Sequence, residues 1–326
     1  MKRIPGGWAT LAVAVILLLP LVLPEALLTI FIFIGLATIV VSGLSLLMGF
    51  AGQVSLGQAG FYAIGAYAAA LLARDFGVSP LIGLAVAPVA TALIACIVGL
   101  PLLRLRGHYL AFGTLAFHLI TLSILGEAKD ITGGDTGLAG IPPFGIGPVV
   151  VAGPFKSIIF GYLAWILALL TLLFNRNLVR SRPGRALRAL AASEAGALAS
   201  GVSVGRYKLQ VFVLSAAYAG LAGGVYAFYV SYIAPGSFPL VESIEFLIMA
   251  TVGGLGSVWG AVVGATLVSL LVQLLQALGT FPGMPLRAPA IFSYAVYGLI
   301  LVGVMLVLPS GIVPALRLVF GKRDRS

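Results

Sequence analysis

Long apolar blocks, broken by short polar or Gly/Pro-rich stretches, run through nearly the whole chain. A helix that crosses a bilayer needs about 20 mostly apolar residues, because each adds about 1.5 Å across a hydrocarbon core of about 30 Å. On that rule the blocks predict spans at Trp8–Pro24, Ala26–Met48, Gln58–Ala73, Leu81–Leu103, Tyr109–Leu125, Ser157–Phe174, Leu209–Tyr232, Ser243–Leu255, Trp259–Leu278 and Ala290–Leu308. Ser243–Leu255 is the shortest, and its length fits a crossing or a re-entrant segment. The fold class expected is an all-α integral membrane protein, a polytopic bundle of about ten transmembrane helices forming a single domain over residues 1–326. Lys2-Arg3 ahead of an apolar run imitates a secretory signal. The run ends in Pro20-Leu21-Val22-Leu23-Pro24-Glu25 without a small-x-small cleavage site, so it reads as the first membrane helix.

Composition agrees with the pattern. Apolar residues make up 61% of the 326 and charged residues 9%, against about 25% charged in a soluble domain. The net charge of +10 lies mostly at the ends of apolar blocks and in one central loop. Lys and Arg are retained on the cytoplasmic side. No basic patch is interleaved with base-stacking aromatics, which argues against nucleic acid. The single cysteine, Cys96, excludes an internal disulfide and reads as a small buried hydrophobe.

The charges also orient the spans. Lys2 and Arg3 place the N-terminus inside, and Arg104 and Arg106 mark the cytoplasmic side four crossings later. The loop Gly126–Lys156 carries Glu127, Asp130 and Asp135 against Lys129 and Lys156, so it is external. The loop 175–208 holds Arg176, Arg180, Arg182, Arg185, Arg188, Arg206 and Lys208 against Glu194, so it is cytoplasmic. Glu242 and Glu245 then fall outside, and the basic tail from Arg317 to Arg325 inside. An odd number of crossings links those two positions. Ser243–Leu255 is therefore expected to cross, with both termini cytoplasmic.

Two connections have soluble character. The external loop is rich in Gly and Pro, with Thr132-Gly133-Gly134-Asp135-Thr136-Gly137 and Ile141-Pro142-Pro143, and reads as ordered turns. In the cytoplasmic loop, the alanine-rich run after Pro183-Gly184 predicts one short helix along the membrane face, Ala186–Gly201. A faint echo of Gly57–Ala63 in Gly220–Ala227 is too short to establish a repeat.

Candidate chemistry is sparse. Gly220 and Gly224 recur at four-residue spacing, as do Gly256, Gly260 and Gly264, which suits close packing of helix backbones. The segment Met48–Gly60 holds glycines, Gln53, Ser55 and Gln58 without a charge. It is expected to be either a tight cytoplasmic turn or a broken helix whose polar side chains face a solute path. His118 reads as a hydrogen-bonded packing residue, and no acid is expected near the middle of a span, which argues against ion coupling. No phosphate loop, zinc spacing or nucleophile elbow occurs, so no cofactor is expected on this chain and catalytic and metal residues are expected to be none. The two competing classes are an ion-coupled secondary transporter and an intramembrane enzyme.

Four stretches carry a family resemblance. They are Gly49-Phe50-Ala51-Gly52-Gln53-Val54-Ser55-Leu56-Gly57-Gln58, Thr132–Gly137, Arg182-Pro183-Gly184-Arg185-Ala186-Leu187-Arg188-Ala189, and Gly253-Gly254-Leu255-Gly256-Ser257-Val258-Trp259-Gly260. In this order they resemble the LivM-type permease subunits of branched-chain amino acid ABC importers. The resemblance implies a transport subunit in a bacterial inner membrane, paired with a second related permease. It also implies two cytoplasmic ATP-binding subunits holding ATP and Mg, and a periplasmic solute-binding protein. Relatives carry branched-chain amino acids, amides, urea or aromatic acids. By the same resemblance, Ala186–Gly201 would be the element that couples to the ATPase, with Arg185, Arg188, Ala192, Glu194, Ala195 and Gly196 as candidate contacts.

Overall fold

The computed structural model describes residues 19–279 apart from 106, 147, 148 and 152, together with 298, 299, 303 and 311–315. The expected spans Trp8–Pro24 and Ala290–Leu308 lie largely outside the described residues. Within them the chain is helical: α1 (Glu25–Ala51), α2 (Gln58–Asp75), α3 (Pro80–Leu102), α4 (His108–Glu127), α5 (Lys129–Thr132), α6 (Lys156–Arg180), α7 (Arg182–Ala192), α8 (Glu194–Ala199), α9 (Val204–Val230), α10 (Leu240–Gly253) and α11 (Gly260–Gly279). Two-residue strands β1 (Gly145–Ile146) and β2 (Val149–Val150) make a small hairpin in the external loop.

Six stretches among the described residues are long and apolar enough to cross a membrane: α1, α3, α4, α6, α9 and Pro235–Gly253. The protein is thus an all-α membrane protein. The expected spans Gln58–Ala73 and Trp259–Leu278 are helices too, but they fall short of that standard.

Helix α1 is apolar all round, and Ile32, Ile39, Val40, Val41, Leu44 and Leu47 are completely buried. A helix of that kind belongs in the centre of a bundle. It runs antiparallel to α9: Thr29 bonds the Tyr229 hydroxyl at 2.9 Å, and further along Gly43 lies against Ser215 and Tyr218. Asn175 of α6 joins both helices, donating to the Ser42 carbonyl at 3.1 Å and accepting from the Tyr218 hydroxyl at 2.8 Å.

The outer helices are apolar on their exposed faces, as at Ile97, Phe112, Ile120 and Ile124. Cys96 is on such a face of α3; it is exposed, not buried as its composition suggested. The reason is that lipid-facing and core-facing positions are equally apolar, so hydrophobicity cannot tell them apart.

Several contacts bring backbone against backbone. A Cβ built on Gly65 would collide with Gly220, one on Gly223 with the Tyr62 carbonyl, and one on Gly253 with the Gly260 carbonyl. Gly224 packs on Ala87, and Gly264 faces the Met249 carbonyl. Gly256 departs from the helical strip suggested by the glycine spacing. It lies in the turn between α10 and α11, with φ 75°, and its backbone meets Gly49.

The predicted helix Ala186–Gly201 is instead two helices, α7 and α8, broken at Ser193. Ser193 is extended and its side chain accepts from the Gly196 N–H at 3.1 Å, capping α8.

The Gly- and Pro-rich loop between α4 and α6 is ordered by Gly133, Gly134 and Gly137, all at positive φ. It is tied to the exit of α9 by paired backbone bonds between Leu138 and Ile233 and by the Tyr232 hydroxyl, which donates to the Thr136 carbonyl at 2.6 Å.

Candidate functional site: a polar centre at mid-depth

The stretch between α1 and α2 is neither a simple turn nor a helix. After Gly52 (φ 63°) the chain is non-helical, and its residues alternate between buried and exposed. Gln53 and Ser55 turn inward and are 3% and 1% exposed, while Val54 points outward. This non-helical run leads back into the bundle, so α2 begins inside it. Gln58, the first residue of α2 and fully buried, donates from Nε2 to Ser215 Oγ at 3.0 Å, near the middle of α9. The Leu56 N–H donates to Thr114 Oγ1 of α4 at 2.9 Å.

A second helix also begins inside the bundle. After α9 the chain pairs with the external loop at Ile233 and then descends. Its Phe238 carbonyl lies 3.1 Å from His118 Nε2, near the middle of α4. Helix α10 starts after Pro239. Fourteen residues span about 21 Å, less than the hydrocarbon core. Helix α10 covers part of the crossing, and the 3-10 turn Pro235–Ser237 that leads into it lengthens the segment.

The two helix starts meet. The Ala59 N–H donates to Ser243 Oγ at 3.0 Å, and Ser243 Oγ is 3.3 Å from His118 Nδ1. A carbonyl only accepts, so His118 carries its proton on Nε2 toward Phe238; in the neutral ring Nδ1 then accepts from Ser243. This relay pins α2, α4 and α10 together at half depth.

Sequence reasoning placed Glu242 and Glu245 outside and expected no acid near the middle of a span. The structure corrects both statements. Glu242 adjoins Ser243 at the level of His118, because the chain descends before α10 begins. Tyr62, Tyr226 and Glu245 are neighbours of Glu242. Three buried oxygens of this region have no hydrogen-bond partner: Gln53 Oε1, Gln58 Oε1 and Glu242 Oε2. Buried acceptors of this kind are uncommon, and each calls for an explanation.

The remaining candidates lie elsewhere. Arg185, Arg188, Ala192, Glu194, Ala195 and Gly196 are exposed on α7 and α8, with Glu194 paired to Lys208 of α9. Leu198 is exposed beside them, an apolar position the candidate contacts omitted. A cavity of about 10 Å³ between Ser42, Ser45, Asn175 and Ser257 has room for about one water. A larger groove of about 660 Å³, lined by residues such as Ile94, Val98, Phe117 and Ile120, is almost wholly apolar and holds no candidate chemistry. No group of three metal-binding side chains stands together among the described residues.

The family model for the permease component of branched-chain amino acid transport systems matches residues 26–305. The chain belongs to this permease family. The high-affinity branched-chain amino acid permease proteins LivM of Escherichia coli and Salmonella typhimurium are each 33% identical to it over 295 residues, covering 84% of this chain and 67% of theirs. A probable LivM of Methanocaldococcus jannaschii is 25% identical, covering 87% of this chain and 92% of its own length. A probable LivH of the same organism is 27% identical over 270 residues. No solved structure matches the chain. The permease role accounts for a helical bundle whose polar groups are gathered at half depth. It leaves the ion-coupled alternative without support.

Proposed function

We propose that this permease moves branched-chain amino acids, or related small polar solutes, inward through an ATP-driven complex. The observation that carries the reading is the family match over nearly the whole helical region. The complex would contain a second, related permease, two cytoplasmic ATP-binding subunits holding ATP and Mg, and a periplasmic binding protein. It would sit in the bacterial inner membrane, with about ten spans and both termini cytoplasmic. Charge supports that orientation: the Arg-rich connection holding α7 and α8 belongs inside.

The test is uptake in sealed vesicles. Radiolabelled L-leucine should accumulate only when all partner subunits and ATP are present, and an uncoupler should leave the rate unchanged. Accumulation by this chain alone, abolished by an uncoupler, would instead establish a secondary carrier.

The solute path would pass the polar centre, where Gln53, Ser55 and Gln58 gather neutral hydrogen-bonding groups. Neutral groups hold a zwitterion weakly enough to release it. Gln53→Leu keeps the size of the side chain and removes a buried acceptor that has no partner. It should lower leucine uptake about tenfold, the equivalent of roughly one hydrogen bond, and leave the yield of assembled complex unchanged. Normal uptake would reduce the segment to a structural link.

A further inference from the structure

A cluster of phenol rings packs between the exit of α9 and Glu242. Tyr232 is exposed at the exit of α9, in the neighbourhood of Tyr67. Tyr67, Tyr226 and Tyr62 all surround Phe238, with ring centroids 6.3, 5.6 and 5.7 Å from it. Tyr62 and Tyr226 in turn neighbour Glu242, and Phe246 closes the group 6.1 Å from Tyr62.

Two polar groups along this line are buried without a partner, the Tyr67 hydroxyl and Glu242 Oε2. They lie on different helices, so the observations are independent. The Tyr67 side chain is 2% exposed. A phenol and a carboxyl oxygen left unpaired in this way cost stability unless something else engages them. The other polar groups nearby are already engaged: Ser243 with Ala59 and His118, and the Tyr226 hydroxyl with Ser237.

The chemistry selects the ligand. Aromatic faces and a carboxylate both attract an ammonium group. No Lys or Arg is paired with Glu242 among the described residues. We propose that Glu242, at the base of the Tyr232–Tyr67–Tyr226–Tyr62 line, reads the ammonium group of a solute descending from outside. Phe238, completely buried among the phenols, is the plug that closes the line in this conformation.

This rests on the permease reading and adds to it a specificity residue outside the Gln53–Gln58 segment. It also separates the recognised class, amines and amino acids, from simple carboxylates of the same shape.

Two measurements test it. In vesicles holding the complete complex, Glu242→Gln should reduce L-leucine uptake about tenfold or more, the loss expected for a charge-assisted hydrogen bond. Glu242→Asp should restore most of the rate. Normal uptake by Glu242→Gln overturns the proposal.

The second measurement needs neither ATP nor partners, so its failure is separable from failure of the importer reading. In the full chain carrying Cys96→Ala, a thiol introduced as Tyr232→Cys, at the exposed end of the line, is labelled from outside with a cationic methanethiosulfonate. L-Leucine at tens of millimolar should slow labelling several-fold, as expected for weak binding. 4-Methylpentanoate, which has the same skeleton without the ammonium, should not. Equal protection by both, protection by neither, or a thiol that the reagent cannot reach would overturn the assignment whether or not Glu242→Gln assembles.

Discussion

Gly264→Leu should leave almost no folded permease in the membrane. Gly264 faces the Met249 carbonyl across the α10–α11 contact, so closely that even a methyl group has no place. The neighbouring Gly253 is equally tight against Gly260, so the helices cannot slide apart at one point and close at another. The same corner holds the backbones of Gly49 and Gly256 together. Overpacking typically costs about 1–3 kcal/mol and occasionally more. A backbone clash at the centre of a helix pair belongs at the upper end, a large part of a total stability of about 5–15 kcal/mol. Gly264→Ala should show an intermediate loss. Gly205→Leu, at a position with nothing within 4 Å, is the control. Detergent-solubilised yield and the thermal unfolding midpoint give the readout; a Gly264→Leu protein as abundant and stable as the control would contradict the packing described.

Gly196→Trp should have the opposite profile, with a sound permease but a failed complex. Gly196 is exposed on α8, and a side chain there meets only Ser193 of its own chain. The fold has no reason to notice the substitution. The exposed strip around it, Ala192, Ala195 and Leu198, has small residues beside one apolar projection, which suits a groove in an ATP-binding partner. The Glu194–Lys208 pair links α8 directly to α9, and α9 crosses the bundle past the polar centre. Motion imposed on α8 would therefore reach Ser215 along one rigid helix. A bulky ring at 196 should lower solute-stimulated ATP hydrolysis more than about tenfold, a loss of about 1.4 kcal/mol or more, while α-helical content stays as in the parent. If α7 and α8 instead rest on anionic headgroups, with about 1 kcal/mol of attraction for each Arg, the tryptophan should make little difference. Arg185 and Arg188 would then be the residues that matter.

Apolar blocks were enough to reveal the helical membrane class, because about 20 apolar residues in a row have few other uses. They also placed α1, α3, α4, α6 and α9 closely. Depth was not legible. The non-helical run after Gly52 and the return of the chain after Ile233 each move a helix start to mid-depth in the bundle, and nothing in local composition reports that. The external position assigned to Glu242 failed for this reason. Charge asymmetry locates loops, and Glu242 belongs to a helix start reached by an inward fold of the chain. One signal was available: Pro235 and Pro239 frame the approach and forbid an earlier helix. The break at Ser193 was also readable, since Ser193-Glu194-Ala195-Gly196 is a capping sequence ahead of an alanine run. Gln53, Ser55 and Gln58 stood out in the sequence as polar residues in an apolar region, but their inward orientation needed the non-helical backbone to be seen.

The two half-depth helices bear on how the chain enters the membrane during synthesis. Helix α2 starts with a glutamine and ends with Arg74 and Asp75, and α10 is too short to cross by itself. Neither offers the insertion machinery a strong stop signal. Helix α2 has to be held by its apolar neighbours α1 and α3 as it emerges, yet its closest backbone partner, Gly220, is made much later. Integration into the lipid and completion of the polar centre are therefore separate events, and the second waits for α9 and α10 to leave the ribosome.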